Sequence, residues 1–152
     1  MILDHASDTF ADASLPELPL RQPIVGVPVS VTTYAETVDV VIAHARARCG
    51  LLVTALAVHG VIEAVRDAQM GRAIESFDIV TPDGQPVRIA LNRIHGADLT
   101  DRVYGPTLTL KLCEAAAKTG VPVYFYASSA DTVAAMSERL LARDPGLQVA
   151  GA

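Results

Sequence analysis

Apolar and polar positions along this chain repeat in two periods, and the switches between them mark out strands and helices. From Ile24 to Val31 an apolar run interrupted by Pro28 reads as an edge strand or one arm of a hairpin. Thr33-Tyr34-Ala35-Glu36 then has the spacing of a capping box. Val38, Val41, Ile42 and Ala45 follow at helical spacing, Arg46 and Arg48 suit the negative end of the helix dipole, and Gly50 suits a left-handed cap. Leu51 to Ala57 is a short continuous apolar run after a glycine, which predicts a strand buried on both faces, and Val61, Ile62 and Val65 open a second helical face.

The same alternation continues. Phe77 to Thr81 predicts a strand, and Pro86 to Ile94 a helix carrying Ile89, Leu91 and Ile94; His95 to Asp101 reads as a polar loop with a glycine at its start. Leu108, Leu112, Ala115 and Ala116 share one face of a helix from Pro106 to Lys118, which Gly120 closes before a strand over Val121 to Tyr126. Ser128 or Ser129 caps a last helix with a stripe of Val133, Met136, Leu140 and Leu141, and Pro145-Gly146 turns into Leu147-Gln148-Val149. Strands alternating with amphipathic helices predict an α/β fold, Rossmann-like, with a mainly parallel sheet and helices on both faces. Residues 1–23 mix Asp, Ser and Pro and are expected to form a flexible N-terminal arm, leaving 24–152 as one α/β domain. Because the chain stops as its last strand begins, the C-terminal part of such a sheet is expected to be missing and the domain to be partial.

Composition narrows the classes. A net charge of -5, with four Tyr and three Phe, argues against a nucleic-acid surface, which needs a basic stripe or interleaved aromatics. No apolar run approaches the roughly 20 residues of a membrane-spanning helix, and the N-terminus lacks a cationic start followed by an apolar core. Cys49 and Cys113 belong to no CxxC or Cys/His pattern; they read as two buried thiols in a reducing cytoplasm.

The stretch with most chemistry is Val80-Thr81-Pro82-Asp83-Gly84-Gln85-Pro86-Val87. It places one carboxylate where a strand gives way to a helix, the edge at which open α/β sheets bind ligands. The adjacent helix start offers unpaired N–H groups to an anion such as a diphosphate. The alternative is an Asp that caps the following helix and does nothing else.

Taken together, Val53-Thr54-Ala55-Leu56-Ala57-Val58-His59-Gly60, Asp78 to Val87, and Arg102-Val103-Tyr104-Gly105-Pro106-Thr107-Leu108 resemble, in order and spacing, the WecG/TagA/CpsF glycosyltransferases, with the exopolysaccharide branch closest. The resemblance runs from about Ile24 to the end of the chain. It implies an inverting transferase that moves N-acetylmannosamine or a related hexose from a UDP-sugar donor to a polyprenyl-diphosphate-linked saccharide in exopolysaccharide or cell-wall polymer synthesis. By position, Asp83 matches the family's Asp-Gly aspartate and its role as general base. Thr54 matches the threonine before the first active-site turn, and Arg102 the arginine set near the sugar diphosphate. The sequence departs from many members at Leu56, where asparagine often stands, and at Thr107-Leu108, where Asp-Leu is common. The family's later proline-rich and Pro-Lys-Gln-Glu segments and basic C-terminal part have no counterpart here.

On that reading Gly84 and Gly105 contribute helix-start N–H groups to the departing UDP, and Thr54 bonds a sugar hydroxyl unless neighbouring backbone satisfies it. Arg102 holds the diphosphate unless it pairs with Asp98 or Asp101. His59 touches the donor or acts as an acid, or else is a capping or half-buried histidine, and Asn92 faces the site from the helix after Asp83. His44 and His95 read as structural or solvated. There is no Asp-x-Asp to hold a cation on the diphosphate, so neither a metal nor a cofactor is expected. The implied setting is cytoplasmic, peripheral at the inner membrane face in the full-length form, with self-association into a homo-oligomer invited by an exposed sheet edge. The truncated chain alone is expected to have little activity. Two readings compete: an inactive fragment or interaction module of such an enzyme, and a dinucleotide-dependent oxidoreductase. The second is weakened because no G-x-G-x-x-G follows any predicted strand.

Overall fold

A computed structural model describes residues 14–126 and 129–151, so most of the expected arm, and Ser128, lie outside the described residues. The first element begins inside the expected arm. β1 (Arg21–Ile24) pairs antiparallel with β2 (Val27–Ser30) through a two-residue turn in which Val25 and Gly26 both have positive φ, 50° and 86°. That is the turn whose twist matches a hairpin, so the open choice at Ile24–Val31 resolves to a hairpin. Arg21 ties it down, donating from Nη1 to the carbonyls of Phe77 (2.9 Å) and Glu75 (3.2 Å).

α1 (Tyr34–Arg46) starts as predicted, with Thr33 Oγ1 accepting from the Glu36 N–H at 3.3 Å. Its most buried positions are Thr37 and Val40 rather than the predicted stripe, because the Thr37 hydroxyl meets Thr32 Oγ1 at 3.0 Å and satisfies both polar groups inside the protein. Arg48, not Gly50, takes the left-handed conformation after this helix. β3 (Val53–Leu56) is parallel to β4 (Ile79–Pro82) in the register Val53↔Ile79 to Leu56↔Pro82. Only Leu56 of β3 is buried, so the expectation of a strand covered on both faces fails there; β4 meets it along its whole length.

Between these strands the chain makes two helices. α2 (Val58–Arg66) ends where Asp67 turns and caps α3 (Ala68–Glu75), accepting from the Gln69 N–H at 2.7 Å. The helical face expected from Val61 onward rotates accordingly: Gly60, Val61 and Ala64 are buried, while Ile62 and Val65 face out. α4 (Gln85–His95) turns Val87 and Leu91 inward and leaves Ile89 and Ile94 exposed, and Gly96 closes it in the left-handed conformation. α5 (Gly105–Thr119) packs against α1 and ends at left-handed Gly120. β5 (Val123–Tyr124) and β6 (Val149–Gly151) form a second parallel pair flanking α6 (Ala130–Arg143), which Ser129 caps by accepting from Thr132.

The architecture is α/β with parallel strand pairs, consistent with a Rossmann-like fold, plus the antiparallel hairpin. Its larger apolar cluster joins the hairpin to Leu56, Val61, Ile74, Val80, Val87, Leu91 and Leu99. A smaller one joins Cys113, Ala116, Phe125, Val133, Leu140 and Leu147. Cys113 is buried as expected, but Cys49 is exposed, since it lies past the end of α1.

Candidate active site

The site is assembled at the carboxyl end of β3 and β4. The backbone N–H groups of Ile79 and Asp83 point at β3, bonding the carbonyls of Leu52 (3.1 Å) and Leu56 (3.2 Å). In a parallel ladder this direction alternates, so Pro82 stands where its missing N–H would have pointed away from β3 and nothing is lost. Its carbonyl, on that outer side, accepts from the Val103 N–H at 3.0 Å, and Thr81 Oγ1 donates to the Val103 carbonyl at 3.3 Å. The segment before α5 is thereby laid along β4, which carries Arg102 and Gly105 to the residue that follows the strand.

Asp83 is half-buried, and it is not the cap of α4: that position belongs to Gly84, with no side-chain hydrogen bond to the helix start. α5 also begins without a side-chain cap, after Tyr104. Both helices carry proline in the first turn, Pro86 and Pro106, where a missing N–H costs nothing. The carboxylate faces the start of α5. A methyl group on Gly105 would sit 3.7 Å from Asp83 Oδ2 and a tight 3.2 Å from the Ala55 Cβ, so glycine suits a helix start this close to the strand.

Arg102 is half-buried on the segment bonded to β4. Its backbone N–H donates to Asp101 Oδ1 at 2.7 Å, and its guanidinium lies 4.6 Å from the centroid of the Tyr104 ring. Among the described residues it joins no ion pair, so the alternative pairing with Asp98 or Asp101 is not what the structure shows. His59 is exposed in the first turn of α2, at the same sheet edge.

Thr54 and Asn92 are placed differently. Thr54 pairs with Val80, and strand alternation gives it the face of Leu56 rather than that of Ala55, which touches the start of α5. Asn92 is engaged with the chain: its Oδ1 accepts from the Leu99 N–H (2.8 Å) and its Nδ2 donates to the Leu99 carbonyl (2.9 Å). Arg88 Nη1 adds a second donor to that carbonyl at 2.8 Å. The amide of Asn92 thus secures the loop that leads to Arg102. His44 and His95 bond the carbonyls of Val40 and Pro23, both structural contacts.

Two residues that sequence reasoning passed over complete the edge. Tyr34, first in α1, accepts the Tyr104 N–H on its hydroxyl at 2.8 Å, and the Lys111 ammonium lies 5.5 Å from its ring centroid. The contact spans 70 residues, so no local periodicity signals it. Cavities of about 340 and 260 Å³ open between α1 and α5, lined by Val38, Asp39, Ala115 and Lys118 among others. Neither reaches Asp83. At the sheet edge the Asp83 carboxylate faces the start of α5, and Arg102 lies on the segment bonded to β4, whereas the groove is lined by Val38 and Ala115 together with Asp39 and Lys118.

Comparison with protein families matches residues 22–152 to the glycosyl transferase WecG/TagA/CpsF family. The chain belongs to this family. A search among curated proteins finds no match. The WecG/TagA/CpsF match covers every element described above except the first residue of β1, and it sets the chain among glycosyltransferases rather than dinucleotide-dependent oxidoreductases. A sugar donor and an acceptor follow from membership.

Proposed function

We propose that the Asp83 edge carries out inverting transfer of N-acetylmannosamine or a related hexose from a UDP-sugar to a polyprenyl-diphosphate-linked saccharide, during exopolysaccharide or cell-wall polymer synthesis. The acceptor hydroxyl oxygen bonds to the anomeric carbon as the bond from that carbon to the diphosphate breaks on the opposite face. The hydroxyl proton passes to the Asp83 carboxylate, and the electron pair leaves with UDP. Negative charge grows on the diphosphate, where Arg102 and the uncapped starts of α4 and α5 stabilise the transition state more than the ground state. Gly84 and Gly105 keep those starts open to an anion. His59, on the rim, faces the incoming donor, and Thr54 is given a sugar hydroxyl by its match to the family position.

A lipid-linked acceptor implies work at the inner face of the cytoplasmic membrane as a peripheral protein. No helix among the described residues is long and apolar enough to cross a membrane.

The observation that carries the reading is the Asp83 carboxylate, turned toward the start of α5 and not used as the cap of α4. Radiolabelled sugar transfer by the longest expressed form of the protein tests it. Asp83→Asn is expected to lower kcat by about 10²–10⁴-fold with an unchanged thermal midpoint. Retention of most of the rate in a folded Asp83→Asn protein would remove Asp83 from the role of base.

A further inference from the structure

Arg102 is held at three backbone points around it: its own N–H on Asp101, the Val103 N–H on the Pro82 carbonyl, and the Tyr104 N–H on the Tyr34 hydroxyl. Val103 between them is fully buried. The backbone is therefore fixed, but an arginine side chain has several rotatable bonds beyond it and would still sweep a wide arc. What limits that arc is the Tyr104 ring, 4.6 Å from the guanidinium carbon. Stacking uses the face of the guanidinium and leaves its N–H donors at the edge, and those donors match the paired oxygens of a phosphate. No carboxylate competes for them within ion-pair distance among the described residues.

We propose that Tyr104 is the positioning residue for Arg102, a face-on platform that presents the guanidinium edge to the diphosphate of the donor, and that Tyr34 anchors this platform by accepting the Tyr104 N–H. The inference rests on the donor reading given above. It assigns Tyr104 no contact with the sugar and no part in proton transfer. The hydroxyl of Tyr104 is dispensable; the ring is not.

Calorimetric titration with UDP separates the possibilities, using the wild-type chain, Arg102→Ala, Tyr104→Leu, Tyr104→Phe and the double variant Arg102→Ala/Tyr104→Leu. Tyr104→Leu is expected to weaken UDP binding about three- to fivefold, the range of a partly exposed cation–π contact, and Tyr104→Phe to stay within about twofold of wild type. In the Arg102→Ala background Tyr104→Leu should have no further effect, a coupling that a purely structural role for the ring would not produce. If Arg102→Ala weakens UDP binding but Tyr104→Leu does not, or if Tyr104→Leu weakens it equally with and without Arg102, the platform is refuted and the donor reading stands. Should the wild-type chain fail to bind UDP, or Arg102→Ala leave binding unchanged, the diphosphate role of Arg102 falls and the platform falls with it.

Discussion

Every residue of β4, from Ile79 to Pro82, is buried, while β5 and the residues after it expose alternate rings, Tyr124 at 64% and Tyr126 at 96%. The two regions use the same strand and helix types and both pair their strands in parallel. They differ in what lies around the strands. β4 has β3 on one side and, on the other, Ser30 Oγ accepting from the Val80 N–H (3.0 Å) and the Val103 segment bonded to Pro82. Among the described residues β5 pairs only with β6, with an irregular register, and a smaller apolar cluster lies behind it. The proposed catalytic edge thus follows a strand that is buried along its whole length and bonded on both sides, as a carboxylate that must keep its aim requires.

The sharpest way to break this comparison is to truncate one leucine in each cluster. Leu91 is fully buried against Val80 and Val87 in the first cluster, and Leu140 is 5% exposed in the second. Leu91→Ala is expected to cost about 2–5 kcal/mol in urea unfolding and to release amide protection at Ile79 and Asp83. Leu140→Ala should cost a similar amount yet confine its loss of protection to Val123 and Phe125. Equal loss at both sites after either change would mean that the two cores open together and that the contrast is superficial.

A smaller effect tests how Arg102 is delivered. Asn92→Ala leaves the buried Leu99 N–H without its partner, whereas the Leu99 carbonyl keeps Arg88. A destabilisation of about 1–3 kcal/mol follows, together with weaker UDP binding as the loop ahead of Arg102 loosens. Unchanged stability would show that water replaces the amide without cost.

The smallest effect is a pH dependence in the second cluster. Burial pushes the Cys113 thiol up, the Asp144 charge pushes it further the same way, and Arg143 opposes both. In the unfolded chain this thiol ionises near pH 8.5, whereas in the folded protein it keeps its proton to higher pH. Its contribution to stability is therefore intact below that pH and declines as pH rises toward the folded-state value. Thermal melts from pH 7 to 10 should show an alkaline loss that Cys113→Ala reduces; an identical slope in both proteins would assign the loss elsewhere.

Much of this layout was legible from residue order. The capping box at Thr33, the helix after Pro86, the glycine stop at 120 and the strand before Asp83 are local signals, and local hydrogen bonds enforce them. Where the structure differs from the periodicity, polar contacts and breaks that the apolar pattern does not register decide the outcome. Thr37 turns inward because Thr32 waits for it, Ile62 and Val65 turn outward because Asp67 breaks the helical run, and β3 stays half-covered. At the candidate site Asp83 and Gly105 lie together, but the use of Asn92 on Leu99 and of Tyr34 on Tyr104 depends on loop geometry that composition does not encode. Cys49 was misread for a similar reason, since a thiol just beyond a helix end has no neighbouring element to cover it.

The hydrogen that Gly105 carries in place of a side chain sets more than the approach of one helix. The Ala55 Cβ, fixed to the strand, cannot rotate aside, so a carbon at position 105 would have to be met by a shift of a few tenths of an ångström between the front of α5 and the strand. Because α1 rests on α5, the displacement would spread to a second helix and carry the Tyr34 hydroxyl with it. How near that helix start comes to the strand is gauged by a single atom lying next to the carboxylate.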